Sequence, residues 1–127
     1  MDYPEHLKYS SEHEWVAVDG TRARIGITDY AQDALGDVVF VSLPAVGTPV
    51  VAHASCAEVE STKSGSEIYA PVSGEVVEVN AALETAPEQV NADPYGDGWI
   101  FVVELRDPAE LDALMDASAY RTMVEEA

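Results

Sequence analysis

The sequence predicts a mainly β fold: a small barrel or sandwich of two similar β half-motifs, with a short internal helix and two short helices at the C-terminal end. Three observations predict it. Short runs rich in β-branched residues recur along the chain, each closed by Gly, Pro, Asn or Asp. Gly36-Asp37-Val38-Val39-Phe40-Val41 is echoed 38 residues later by Gly74-Glu75-Val76-Val77-Glu78-Val79. Finally, Asp107-Pro108-Ala109-Glu110 combines a cap, a proline at the first helical position and a glutamate three residues after the cap.

In order along the chain, Trp15 to Val18 and Arg22 to Ile27 flank Asp19-Gly20 and read as a hairpin, for which Asp-Gly suits a type I′ turn. Thr28 is placed to cap a short helix over Asp29 to Leu35, and Gly36 to end it. Val38 to Val41 reads as a buried strand closed by Pro44. Further strands are expected from about Cys56 to Ser61, over Glu67 to Ala70, and over Val76 to Val79. Residues 81 to 98 are loop-like, and Trp99 to Val103 is the last strand. Asp116 restarts a second C-terminal helix that runs towards Glu126. Two packed half-motifs would leave the segment between the echoed runs as a prominent hairpin, and Lys63 lies in that segment.

The chain has 127 residues, which fits one compact domain spanning 1–127. No apolar run approaches the ~20 residues of a membrane span, and Met1 to Ser10 is polar and acidic, unlike a signal peptide. Cys56 is the only cysteine, so an internal disulfide is impossible and a reducing, cytoplasmic setting is expected. Twenty-four acidic residues against six Lys and Arg give a formal net charge of −18. That field repels phosphate backbones and anionic membranes. It reads as a solvated coat, compatible with high salt, that also steers docking onto basic partner proteins.

Acidity makes lysine scarce; only Lys8 and Lys63 exist. Around Lys63, the β-patterned runs of 57–61 and 67–70 flank Thr62-Lys63-Ser64-Gly65-Ser66. An enzyme that acylates a lysine needs an exposed amine on a rigid, narrow projection with small neighbours. Thr62, Ser64 and Gly65 supply the neighbours and a hairpin supplies the rigidity. Taken by itself, a lysine on such a tip reads first as an ordinary solubilising charge, and only the wider pattern overturns that reading.

The wider pattern resembles the lipoyl/biotinyl carrier superfamily, and within it the H-protein family of the glycine cleavage system. His13-Glu14-Trp15-Val16, Gly26 to Gln32 with Leu35 to Val41, Val59 to Lys63 with Ala70 to Val76, and Asn91 to Trp99 are similar to that family's motifs, in order. The resemblance implies a barrel-sandwich hybrid fold and a carrier rather than an enzyme, monomeric, with lipoate attached through Lys63. It implies that the arm takes an aminomethyl group from a pyridoxal-phosphate glycine decarboxylase to a folate-dependent aminomethyltransferase, and is reoxidised by a flavin dihydrolipoyl dehydrogenase. Lipoate-attaching enzymes are further implied partners. By the same resemblance Glu60 and Gly74 help those enzymes recognise the hairpin, although a solvated strand residue and a turn glycine are equally good readings of the two. Glu14, with Glu67 near it, would line a cleft sheltering the loaded arm. Glu67 stands where aspartate is more usual, and Glu12 where a small polar residue is commoner.

Other swinging-arm carriers remain alternatives: biotin carriers usually place methionine beside the lysine, and lipoyl domains of 2-oxoacid dehydrogenases an acidic residue before it. A relay role in cofactor assembly is a further variant. His6, His13 and His53 are too scattered for a metal site, no nucleophile elbow is present, and Cys56 reads as a small strand residue.

Overall fold

Each β-patterned run becomes a strand in the computed structural model, which describes residues 1–126. The strands among these residues divide between two antiparallel sheets. The larger is assembled from β1 (Lys8–Tyr9), β2 (Glu14–Asp19), β3 (Arg22–Ile27), β9 (Phe101–Leu105), β8 (Gly74–Val79) and β5 (Pro49–Val50), in that spatial order. The smaller has β4 (Val38–Ser42), β6 (Ser55–Ser61) and β7 (Gly65–Tyr69), with β6 in the middle. Apolar residues facing inward from both sheets, among them Ile25, Val41, Val59, Ile68, Val76 and Phe101, form one buried core.

The repeated hexapeptide is a repeated structure. β4 shifts register between Val38 and Phe40, and β8 shifts between Val76 and Glu78, the matching positions of the echo. A bulge adds one residue to a strand and resets its in-out alternation. Inward residues are therefore three apart in both copies, Val38 with Val41 and Val76 with Val79. The same bulge corrects the expectation that 38–41 is wholly buried: Val39 and Phe40 are 53% and 51% exposed.

Helix α1 (Asp29–Leu35) forms as expected. Thr28 Oγ1 accepts the Ala31 N–H and the Gly36 N–H bonds to Gln32 O. The first hairpin closes through Gly20-Thr21 rather than Asp19-Gly20. Asp19 pairs with Arg22 and only Gly20 has a positive φ, of 64°, so the turn is of the II′ kind. Residues 81–98 are more ordered than a loop. They hold a 3₁₀ turn (Ala81–Glu84) that buries Leu83 and a helical turn α2 (Gln89–Ala92) that buries Val90. The last strand starts two residues later than expected, because the Asn80 amide takes the Asp97 and Trp99 carbonyls.

Both C-terminal helical segments are present, the first as 3₁₀ (Pro108–Ala113) and the second as α3 (Ala117–Glu125). Asp107 and Asp116 cap them through the Ala109 and Ala119 N–H groups. The expected capping box is not completed. Glu110 turns away from the cap to accept the Ser73 N–H at 2.7 Å and the Ser73 hydroxyl at 3.0 Å. The Ser73 hydroxyl in turn accepts the Ala52 N–H. Helix α3 lies on an aromatic satellite cluster of Tyr3, Leu7, Tyr9, Trp15 and Tyr120, in which Tyr9 and Tyr120 stack at 4.8 Å. The N-terminal strand β1, unforeseen in the sequence, is held there by two bonds between Tyr9 and Met115.

Glu110 thus joins the C-terminal segment to the start of β8 through two bonds to a charged acceptor. Glu110→Ala is expected to destabilise folding by about 2 kcal/mol, read as a lower thermal midpoint. An unchanged midpoint would deny the bridge its weight.

Candidate functional site

Lys63 sits at the tip of the β6–β7 hairpin, and the turn is organised by its own serines. The Ser61 N–H bonds to Ser64 O at 2.8 Å, while the Ser61 hydroxyl accepts the N–H groups of Lys63 and Ser64. The loop is thereby reduced to Thr62-Lys63. A further bond, from the Thr62 N–H to Asp37 O at 3.0 Å, fastens the tip to the chain leaving α1. There Gly36 adopts φ 81° and ψ −158°, a region open essentially to glycine alone. Any Cβ at position 36 would also press on the Lys63 stem, 2.9 Å from its Cε. Asn91, on α2, braces the same point by donating to Gly36 O and Gln32 Oε1 and accepting the Val38 N–H. Lys63 is exposed, and among the described residues no carboxylate lies within ion-pairing distance of its amine.

A cleft of about 250 Å³ begins beside Lys63, at Ser64 and Gly65. One wall is α1, through Tyr30, Ala31, Ala34 and Leu35; the other is β7. Ile27, Val59 and Ile68 give it an apolar floor, and Glu12, His13, Glu14 and Glu67 contribute its polar groups. The sequence-predicted residues Glu14 and Glu67 therefore meet along this cleft. Tyr69 links them: its N–H donates to Glu14 Oε2 and its phenol to Glu67 Oε2. Glu12 is reached from the far side by His53 Nδ1 at 3.4 Å.

Glu14 is the chemically unusual member. It is 1% exposed, with its carboxyl bonded by the Ser10 hydroxyl at 2.6 Å. Burial pushes its pKa up to about 8, against the lowering effect of the Ser10 and Tyr69 bonds, while the Glu12 charge adds to the rise. At neutral pH it is largely protonated, and an adjacent cation would favour its ionised form. Cys56, close by, is not a competing nucleophile. Burial and the Glu14 charge push its thiol up to about 12, and the thiol donates to Ile68 O.

Glu60 lies on β6 three residues before Lys63, exposed, opposite Gly65 and next to Phe40 of β4. Gly74 is in the other sheet. It opens β8 opposite Leu105, and a side chain there would run into the Glu104 carbonyl. Gly74 is thus a strand-entry glycine with a packing reason of its own. Sequence reasoning did not single out Ser10, Ser61, Tyr69 or Asn91, and it set His13 aside. Only the spacing of Ser61 and Ser64 around Lys63 could have signalled part of this. Among the described residues no group of three or more His, Cys, Asp or Glu is arranged to hold a metal ion, and no helix is long and apolar enough to cross a membrane.

Residues 7–127 match the family model described as glycine cleavage H-protein. The chain belongs to the glycine cleavage H-protein family. It is 57% identical over 126 residues to the glycine cleavage system H protein of Brevibacillus brevis, covering 99% of this chain and 100% of that one. It is 55% identical over 125 residues to that of Thermus thermophilus, covering 98% of each. Among solved structures, the H protein of Mycobacterium marinum superposes with a TM-score of 0.88 at 43% identity, covering 96% of this chain and 98% of that one. The mainly β fold read from the sequence is the fold of this family.

The raised Glu14 pKa has a thermodynamic consequence. A carboxyl titrating near 4.5 when unfolded and near 8 when folded adds stability that is full below about pH 4.5 and is lost as pH rises through 8. Glu14→Gln, neutral throughout, is expected to gain on the parent protein between pH 5 and 8.5 in urea midpoints. A constant difference across that range would mean that Glu14 does not titrate there.

Proposed function

We propose that this chain is the lipoyl carrier of the glycine cleavage system, acting as a single, monomeric, non-catalytic domain in the cytoplasm, with lipoate in amide linkage to Lys63. The observation that carries the reading is an exposed lysine, without an ion-pair partner among the described residues, on a braced two-residue tip with a cleft opening beside it. The apolar floor suits a hydrocarbon arm, and the carboxyl groups suit a cationic load. When bound, the lipoyl group supplies the dithiolane that accepts the aminomethyl unit and is later reoxidised.

The chain's own residues position and protect. The Ser61 turn and the Thr62–Asp37 bond hold the lysine backbone, so arm motion is confined to side-chain torsions. Tethering then raises the concentration of the reactive end at each partner's site. Glu14, ionised against an incoming ammonium, would release a proton and hold the load in a water-poor cleft. Glu67 would add a second carboxylate at the rim. The acidic surface favours encounter with basic faces on the glycine decarboxylase, the aminomethyltransferase, the dihydrolipoyl dehydrogenase and the lipoate-attaching enzymes.

For recognition by the attaching enzyme, exposed Glu60 beside the hairpin is the stronger of the two sequence-predicted residues. Gly74 enters the reading through the strand it permits. Gly74→Ala is expected to lower the thermal midpoint by several degrees, whereas Glu60→Gln should leave the midpoint unchanged and slow lipoylation. Equal lipoylation rates for Glu60→Gln and the parent at matched folded fraction would remove Glu60 from recognition.

The central test is intact mass after expression with lipoate, followed by peptide mapping. A lipoyl increment on Lys63, lost in Lys63→Arg together with glycine cleavage in a reconstituted system, is the expected result. Restoration of glycine cleavage by the Arg variant would sink the proposal.

A further inference from the structure

His13 lines the cleft without a role in the carrier reading, yet it is held more tightly than a hairpin residue requires. Its backbone is left-handed, with φ 73°, a conformation that costs a non-glycine residue energy. Its carbonyl accepts the Thr28 N–H at 3.0 Å. The residue lines the cleft beside Glu14, and its ring packs at 4.9 Å from Tyr30. Nδ1 lies 2.7 Å from the Tyr120 hydroxyl, which lies 2.7 Å from Thr28 Oγ1. Thr28 and Tyr120 are both fully buried.

The proton direction along this chain follows from counting donors and acceptors. Thr28 Oγ1 already accepts the Ala31 N–H. Its own hydrogen needs an acceptor, and among the described residues Tyr120 Oη is the one within reach. Tyr120 then donates its single hydrogen onward to His13 Nδ1. Burial raises the Tyr120 phenol well above its ordinary range, keeping that hydrogen in place, and lowers the His13 pKa, keeping the ring neutral. A neutral ring that accepts at Nδ1 carries its hydrogen on Nε2. The opposite direction would leave a buried Thr28 hydrogen unsatisfied, which is the costlier arrangement.

The position of His13 along the cleft points to what an Nε2–H directed into it would meet. Lys63 lies over Gly36, at the C-terminal end of α1, whereas His13 touches Tyr30 and Thr28 at the N-terminal end. Seven helical residues separate these ends by ~10 Å. An arm laid along the helix from Lys63 therefore brings its amide near the start of the cleft and its sulfur-bearing end near His13.

We propose that His13 is a positioning residue of the cleft, fixed as the Nε2–H tautomer by the Thr28–Tyr120–His13 chain, and that it donates this hydrogen bond to a sulfur of the docked arm. The proposal rests on the carrier reading. It gives the cleft a neutral donor next to carboxyl acceptors, so that the sulfur and its cationic load are held by different groups. It also makes α3, which supplies Tyr120, part of the cleft's support.

Nitrogen-15 NMR of the His13 ring in the unmodified protein tests the first half. The expected spectrum is that of a neutral ring protonated on Nε2, with the preference lost in Tyr120→Phe, a variant that keeps the aromatic packing. An Nδ1–H ring in the parent, or an unaltered ring in Tyr120→Phe, would overturn the assignment. The second half is read from the lifetime of the aminomethyl load on lipoylated protein, followed by mass. His13→Leu is expected to shorten it about fivefold, the effect of one hydrogen bond. His13→Gln, whose amide N–H approximates Nε2–H, should restore most of it. Normal lipoylation with an unchanged lifetime in His13→Leu, or no rescue by Gln, would overturn the proposal alone. Absence of lipoylation at Lys63 in the parent would instead overturn the carrier reading and this proposal with it.

Discussion

The junction at Gly36 is the constraint on which the site depends. One residue in a backbone region reserved for glycine lets α1 end, lets β4 begin, and leaves room for the lysine stem above it. Asn91 holds that junction with three bonds from a helical turn distant in sequence, and the Thr62–Asp37 bond docks the hairpin tip onto it. The modifiable lysine and the mouth of the cleft are thereby fixed relative to one another by backbone and amide bonds. Of the long, flexible side chains only Gln32 shares in that restraint, through its amide bond with Asn91.

The second organising feature is electrostatic contrast. A protein with a formal net charge of −18 keeps Glu14, alone among the acidic side chains of the described residues, in the dry interior, where burial favours its neutral form. Glu12 and Glu67 sit at the cleft in wetter surroundings. The cleft thus combines a titrating group inside with charged groups outside. That arrangement favours a cation without burying an ion pair in the unloaded state.

The sequence reading succeeded where local rules decide the outcome. The α1 boundaries, the Asp107 and Asp116 caps and the Lys63 hairpin rest on short-range chemistry, and so were legible. The echoed hexapeptide was legible too, and matched bulges turn it from a similarity of letters into one of geometry. What was missed depends on contacts distant in sequence. Glu110 prefers Ser73 to its own cap because Ser73 offers two donors from another element. Residues 81–98 curl into helical turns because Leu83 and Val90 have core to fill. Val39 and Phe40 face outward because a bulge resets the strand. The roles of Ser10, Tyr69 and His13 exist only once β1, β7 and α3 meet, and no spacing along the chain announces them.

The scarcity of lysine has a practical side. Besides the N-terminus, the unlipoylated protein offers amine-reactive reagents only Lys8, half-buried in β1, and Lys63, exposed at the hairpin tip. Amine coupling to a sensor surface or bead would thus anchor many molecules through the tip, with the cleft mouth against the support. Partners that approach by that route would be screened out, and weak binding measured this way would report orientation rather than affinity. Coupling through the abundant carboxylates spreads the attachment over many points and leaves much of the population with the tip facing solution.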